Sequence, residues 1–377
     1  MSWYQWLESL QLPSRHDVNG SADRSDQDER FVADPIVESD RELLALGDVR
    51  QGLAACMSPS DGAELSALAV YDDAQWHELL YRGNNWVQAD DWPGRAPWLW
   101  PVAGRCYAPS TASSNAVKKI RSEEECSWHW DGVARSMPWH GFARHRAWSA
   151  TPIVVTNERA ASAAHLLSDP NDREVYPFDY QLLTSQELSE KGLDISYRVE
   201  ASPKNSGPMP FALGLHFSFD FSSWWGKDWL QGSVEQLGRT AWGTNELAQA
   251  AERFQLPSGP ICLNDPALTS SIIPARLDEP VRLVSPDGDR ALEIAFGAVS
   301  AASEEDLLWV SFFDPQNHFF CLEPWVGWPN AINSGQGRVD LQPGQAWEFR
   351  LRLSVTPHRS FPQSITPVVR QVASTEE

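Results

Sequence analysis

From about residue 41 onward, apolar side chains recur two positions apart in short runs broken by turn residues. Leu65–Tyr71, Trp148–Thr156, Phe178–Thr184 and Leu193–Glu200 show the pattern, as do Val281–Ser285, Leu292–Phe296, Leu307–Phe313 and Trp347–Val355. A period of two sends successive side chains to opposite faces of an extended chain, so these runs predict antiparallel strands. Ser285-Pro-Asp-Gly and Gln342-Pro-Gly-Gln supply turn chemistry between them. One segment departs from this pattern. Thr244–Gln255 collects good helix formers behind a threonine cap, with Pro257 beyond it, and predicts a helix. Residues 222–260, with Trp224, Trp225 and Trp229, read as an insertion on a β scaffold. The predicted architecture is mostly antiparallel β, one large sandwich or closed double sheet with few short helices.

The two ends differ from the middle. Residues 1–40 contain a polar stretch, Ser14–Arg30, with few apolar anchors, and are expected to form a mobile extension dispensable for folding. Residues 41–357 are then the folded domain, and residues 358–377 a polar tail that frays.

Charge narrows the partners. With 30 basic and 51 acidic residues the net charge is 30 − 51 = −21, unsuited to nucleic acid or an anionic membrane, both of which are held by Lys and Arg. No apolar run approaches the roughly 20 residues that span a bilayer. The amino terminus lacks the basic and long apolar regions of a secretory signal. Five dispersed cysteines without a C-x-x-C pair read as reduced thiols, so the expected setting is the cytoplasm. The 19 tryptophans serve packing, yet their faces also stack on sugar C–H groups.

The candidate chemistry lies in four ordered apolar segments that each carry polar residues: Gly94–Arg105, Met137–Arg144, Met209–Phe219 and Cys321–Trp325. They deliver His140, His216 and Glu323, with Arg95, Arg105 and Arg144 nearby in sequence. Each histidine alone reads as a hydrogen-bonded core residue. Glu323, between Leu322 and Pro324-Trp325, changes that reading, because glutamate is almost never buried without a partner. A carboxyl in a Trp-lined recess tends towards a raised pKa and exchanges protons near neutrality. Arg105 and Arg144 can supply compensating charge that holds Glu323 ionised. The set suits proton transfer on a small polar substrate.

These segments resemble the aldose 1-epimerase (galactose mutarotase-like) family. Its Pro-x-Leu-x-Pro-x-x-Gly-Arg element corresponds to Pro97–Arg105, His-Gly-Phe-Ala-Arg to His140–Arg144, Met-Pro-Phe-x-x-Gly-x-His to Met209–His216, and Cys-x-Glu-Pro-Trp to Cys321–Trp325. Tyr176-Pro177-Phe178 and the closing turn Leu341–Gly344 agree, and the likeness spans roughly residues 42–356. The resemblance implies an antiparallel β-supersandwich and an isomerase that interconverts sugar anomers without metal or cofactor. His216 would protonate the ring oxygen and Glu323 take the proton of the anomeric hydroxyl. His140 and Arg105 would bind the sugar, helped by Arg95, Arg144 and Trp325, and Asp265 is the candidate for a further carboxylate that many members place on a hydroxyl. Trp98, Trp100 and Trp139 flank these residues and can form a stacking wall. Three other readings remain open. A hexose-6-phosphate 1-epimerase would use Arg95, Arg105 and Arg144 on the phosphate. A two-histidine, one-carboxylate metal site would join His140, His216 and Glu323. A non-catalytic carbohydrate sensor would keep the site idle. The sequence leaves the sugar and the oligomeric state open.

Overall fold

The structure is a computed structural model that describes residues 1–10, 12, 30–83, 94–107, 127–244, 250–277, 279–300, 304–314 and 319–356. Most of the polar stretch 14–30, most of the charged spacer 106–131 and the tail from 358 lie outside the described residues.

Three antiparallel sheets carry the fold, as the alternating pattern predicts. Five consecutive strands, from Phe31–Glu38 to Gln75–Glu78, form a meander. A ten-stranded sheet is built around Arg159–Leu167, Tyr180–Ser189, Gly192–Ala201, Ala346–Thr356 and Ala291–Val299. An eight-stranded sheet runs from Ala250–Gln255 through Thr240–Thr244, Ser270–Pro274, Leu307–Asp314 and Phe319–Val326 to Leu213–Leu215 and Trp98–Leu99. The two large sheets meet through aromatic pairs, Trp98 on Tyr197 at 4.5 Å and Trp309 on Phe296 at 4.8 Å, while Phe211 of the two-stranded sheet Met209–Phe211 with Val339–Leu341 packs on Trp347 at 5.3 Å. Offset and edge-on rings of this kind add to the area they bury. The result is an all-β supersandwich with few short helices. Among the described residues no helix is long and apolar enough to cross a membrane. The four described cysteines, Cys56, Cys106, Cys262 and Cys321, stand as thiols.

The helix expected over Thr244–Gln255 does not form. Thr240–Thr244 and Ala250–Gln255 are strands paired antiparallel, with Trp242 opposite Arg253; residues 245–249 lie outside the described residues. The Arg253 guanidinium lies 5.6 Å from the centre of the Trp242 ring. Local helix propensity amounts to a few tenths of a kcal/mol per residue and yields to a ladder plus side-chain packing. Nor is the Trp-rich segment an insertion. Ser233–Glu235 joins the ten-stranded sheet and Thr240–Thr244 the eight-stranded one. Trp224, Trp225 and Trp229 belong to the main core, where Trp225 stacks on Phe221 at 4.0 Å.

The expectation of a mobile extension over residues 1–40 fails at both ends. Phe31–Glu38 pairs along its whole length with Arg41–Asp48. Trp3–Ser9 is a helix opened by a capping box between Ser2 and Gln5. The five-stranded sheet explains why. One face contributes Leu44, Leu46, Ala55 and Leu68 to the main core. The other presents Leu43, Ala45, Ala54, Cys56, Ala67 and Ala69, a smooth apolar surface that needs cover. Trp3 and Trp6 supply it, fully buried and stacked at 5.6 Å. Their indole N–H groups donate to Glu78 at 3.0 Å and Asp34 at 2.8 Å. A seven-residue helix has little stability alone, so its order derives from this docking.

Trp6→Ala should therefore destabilise the protein by about 3–5 kcal/mol in denaturant unfolding, the usual loss for truncating a buried Trp. Removing residues 1–10 should shift the midpoint at least as far. Midpoints unchanged in both variants would mean that the helix does not stabilise the sandwich.

Candidate active site

The strands Leu213–Leu215 and Phe217–Phe219 both pair with Phe319–Val326, through Gly214 opposite Trp325 and Phe217 opposite Leu322. His216 sits at the break between them, its own N–H donating to the Pro97 carbonyl at 3.1 Å. Along the register these pairs share, Glu323 falls opposite His216, and Pro324, which has no N–H for a ladder, falls opposite Leu215. Alternation does the rest. Leu213, Leu215, Phe217 and Phe219 enter the main core, as do Phe320, Leu322 and Val326. Gly214, His216 and Ser218 on one strand line, and Cys321, Glu323 and Trp325 on the other, therefore share the opposite face.

On that face lies a cavity of about 270 Å³, lined by Trp139, His140, His216, Glu323 and Trp325 together with Thr244, Ser270, Ile272, Val310, Phe312 and Phe319. Its floor follows from register. Glu323 is opposite Val310, Val310 opposite Ile272, and Ile272 opposite Trp242, so one row crosses four strands. At about 4.8 Å between strands, an apolar strip roughly 14 Å long runs outward from the carboxyl.

His216 Nε2 lies 3.2 Å from Glu323 Oε1, with both side chains buried. Burial pushes the Glu323 carboxyl up to about 8, only partly offset by the hydrogen bond from Trp325 Nε1 to Oε2 at 3.0 Å. Burial also pushes His216 down to about 3, its own backbone hydrogen bond opposing and the Arg144 charge reinforcing the shift. The contact is thus a hydrogen bond within a neutral pair sharing one proton, not an ion pair. Positive charge does not hold Glu323 ionised, as the sequence suggested. The charges of Arg144 and Arg105 bear on His140 instead, which burial, His216 and these two arginines keep well below the ordinary histidine range.

His140 reaches the cavity from a loop rather than from the expected strand. Its backbone takes a left-handed φ of 62° and Gly141 follows at 72°. A Cβ on Gly141 would stand 2.1 Å from the Trp100 carbonyl oxygen, so glycine alone lets the loop press against Trp100. The same carbonyl accepts from the N–H groups of Phe142 and Ala143 at 3.0 and 3.1 Å. His140 and Gly104 exchange two bonds: the His140 N–H donates to the Gly104 carbonyl at 2.9 Å, and the Gly104 N–H to His140 Nδ1 at 3.0 Å. Nδ1 therefore accepts, and the ring proton of neutral His140 resides on Nε2. Trp139 stacks on the imidazole at 4.9 Å and carries the Arg105 guanidinium 4.4 Å from its ring centre. Trp325 stands between Gly104 and Gly214; a Cβ on Gly214 would come within 2.7 Å of its ring.

Not all sequence-predicted residues converge here. Arg144 is buried behind His140, 3.5 Å from the Trp139 carbonyl. Arg95 is buried elsewhere, 3.6 Å from Glu64, and Asp265 caps a short 3₁₀ turn by accepting from the Ala267 N–H at 2.8 Å. Neither lines the cavity. Trp98 and Trp100 are core residues, and of that trio only Trp139 faces the cavity. Sequence reasoning missed Val310, Ile272, Phe312 and Thr244, which become visible only once the strand register is known. The metal-like trio also differs from expectation. Among the described residues it is His216, Cys321 and Glu323, not His140, whose ligand atoms fall within 4.8 Å of one another.

Residues 60–354 match the family model described as aldose 1-epimerase. No curated protein sequence matches the chain significantly. Solved structures with a similar fold include a galactose mutarotase related enzyme from Lactobacillus acidophilus, 18% identical over 82% of this chain and 96% of that one, with a TM-score of 0.63. A galactose mutarotase-like protein from Lactobacillus casei is 18% identical over 86% of this chain and 100% of that one, at 0.62. Another from Clostridium acetobutylicum is 16% identical over 87% and 98%, at 0.65.

A protonated Glu323 has a direct signature. Its carboxyl C=O stretch should be present in the infrared at neutral pH and vanish with a midpoint near 8. Glu64, likewise pushed up to about 8 by burial, absorbs in the same window, so the Glu323 band is the difference between wild type and Glu323→Gln, and it should titrate higher in Trp325→Phe, which removes the indole donor. The sign for stability follows: the raised pKa contributes stability fully present below about 4.5 and lost as pH rises through about 8. Wild type should thus lose stability relative to Glu323→Gln across that window. A midpoint at the ordinary carboxylate value would refute the buried neutral pair.

Proposed function

Because this chain belongs to the aldose 1-epimerase family, we propose that it interconverts the α and β anomers of a neutral aldohexose by general acid–base ring opening and closure. The observation that carries this reading is the His216–Glu323 contact of 3.2 Å in the lining of a cavity of about 270 Å³.

The proton count fits the reaction. Opening a hemiacetal removes the proton of O1 and adds one to the ring oxygen O5; closure on the other face of the aldehyde reverses both. In the resting pair the single proton favours Glu323. Sugar hydroxyls that solvate the carboxylate shift it to His216, which donates it to O5 while Glu323 accepts the O1 proton. The pair then again holds its proton on Glu323, with the ring open. Rotation about C1–C2 and the reverse transfers complete the exchange. One proton moves between two groups throughout, and none has to come from solvent. His140, with its proton on Nε2, donates to a sugar oxygen and orients the ring. Trp139 and Trp325 supply flat faces for its C–H groups. Burial keeps the histidines neutral, reinforced by Arg144 at both and by Arg105 at His140, a role different from binding the sugar directly.

The lining favours an uncharged substrate. Among the described residues that line the cavity none is Lys or Arg, and Arg95 is committed to Glu64. Binding a phosphate calls for convergent cations.

Glu323→Gln should lower anomerisation by about 10²–10⁴-fold, followed by NMR or polarimetry above the spontaneous rate, and His216→Asn should do the same. The double variant should be scarcely worse than either, since the pair acts as a unit. His140→Asn should chiefly raise KM. Near-normal turnover in Glu323→Gln would place the base elsewhere. Across a panel of aldoses and aldose phosphates, glucose should be turned over faster than glucose 6-phosphate. A strong preference for the phosphate, erased by Arg105→Ala or Arg144→Ala, would establish a hexose-6-phosphate epimerase instead.

A further inference from the structure

We infer that His216, Cys321 and Glu323 form a binding site for a borderline-soft divalent cation of the zinc class, and that its occupation switches the acid–base pair off.

The mechanism makes no use of Cys321, yet register brings it to the centre of the site. It is fully buried and two residues from Glu323 on the same strand face, with Ser218 opposite it on the neighbouring strand. One ligand atom from each of His216, Cys321 and Glu323 lies within 4.8 Å of the other two. Two first-shell atoms at zinc distances and a tetrahedral angle are about 3.4 Å apart. The His216 Nε2 to Glu323 Oε1 separation of 3.2 Å already has that value. The thiol sulfur lies within 4.8 Å of a ligand atom on each of the other two, against the roughly 3.5 Å that separates sulfur from nitrogen or oxygen across a zinc tetrahedron.

The outer shell is also in place. Ser218 Oγ lies 3.4 Å from His216 Nδ1 and 3.9 Å from Cys321 Sγ. Trp325 Nε1 holds Glu323 Oε2 at 3.0 Å, leaving Oε1 to act as a single-oxygen ligand. Such partners orient ligands and fix the tautomer. The fourth corner opens to the cavity that His216 and Glu323 line, which gives a cation access and leaves room for water or a sugar hydroxyl.

Charge balances as well. Coordination releases the thiol proton and the shared His–Glu proton, so a divalent cation against one thiolate and one carboxylate is neutral, as a buried site requires. A nitrogen, sulfur and oxygen set selects zinc or cadmium over magnesium and calcium, which take all-oxygen shells. Inhibition then follows directly, because the cation takes both the carboxylate and the imidazole away from the sugar. That consequence rests on the acid–base reading above; the binding does not.

The probe is Cd²⁺, whose bond to a thiolate gives a near-ultraviolet charge-transfer band. Titration of the full chain should give a saturable band of one equivalent that Zn²⁺ bleaches, and Cys321→Ala should lose it. Zn²⁺ should inhibit anomerisation competitively with sugar and reversibly on chelation. In Cys321→Ala it should inhibit at least about tenfold more weakly, with turnover retained. Cys321→Ser serves should the alanine variant fail to fold. An unchanged band in both variants, or active wild type with no cadmium band, overturns the site. A cadmium band at Cys321 in a chain that turns over no aldose would sustain the site and reject the proposed function instead.

Discussion

Everything at the site depends on burying a carboxyl group against an imidazole in an apolar recess. An ionised carboxylate in an apolar recess is penalised by several kcal/mol, and the protein meets this by neutralisation rather than by compensation. Glu323 rises, His216 falls, and the two hold one proton between them. That condition demands an apolar surround, which Val310, Ile272, Phe312 and Trp325 provide. It also demands that Arg144 and Arg105 act on the histidines rather than on the carboxyl. A salt bridge to Glu323 would instead have held it as a carboxylate.

Rigid strands place that pair. His216 and Glu323 come from neighbouring strands of the eight-stranded sheet, where the break in pairing between Leu215 and Phe217 lets His216 bond to Pro97. Pleating then aims both side chains away from the core without any special backbone geometry. His140 is held differently, by two left-handed residues and a reciprocal bond pair to Gly104. The strands therefore carry the His216–Glu323 pair, and the loop carries His140.

The five-stranded sheet shows the same logic of faces. Its strands are apolar on both sides, so it cannot be an exposed antiparallel sheet. The helix Trp3–Ser9 closes the outer side with two indoles, whose N–H groups meet carboxylates on Phe31–Glu38 and Gln75–Glu78. A polar stretch between residues 10 and 30 hides this in the sequence, because its composition masks the short anchor that precedes it.

The amino-acid sequence by itself determined the all-β class, since period-two alternation is a local property of each strand. The ordered motifs that contain His140, His216 and Glu323 were equally legible, because a polar residue inside an apolar run stands out wherever it folds. Only the tertiary structure decided the rest. Whether Thr244–Gln255 became helix or hairpin turned on a ladder partner outside the segment, which overrode its propensity. Arg95 was a candidate for its place in the Gly94–Arg105 segment and Asp265 for the family resemblance, but their actual partners are Glu64 and the Ala267 amide. Cys321 and Val310 joined the site through register alone, because a side chain's neighbours across a sheet are set by pairing between strands distant in sequence. The proton on the central pair was likewise undecidable from the chain, since a pKa follows from what surrounds a group in space, and burial is not written in the residues beside it.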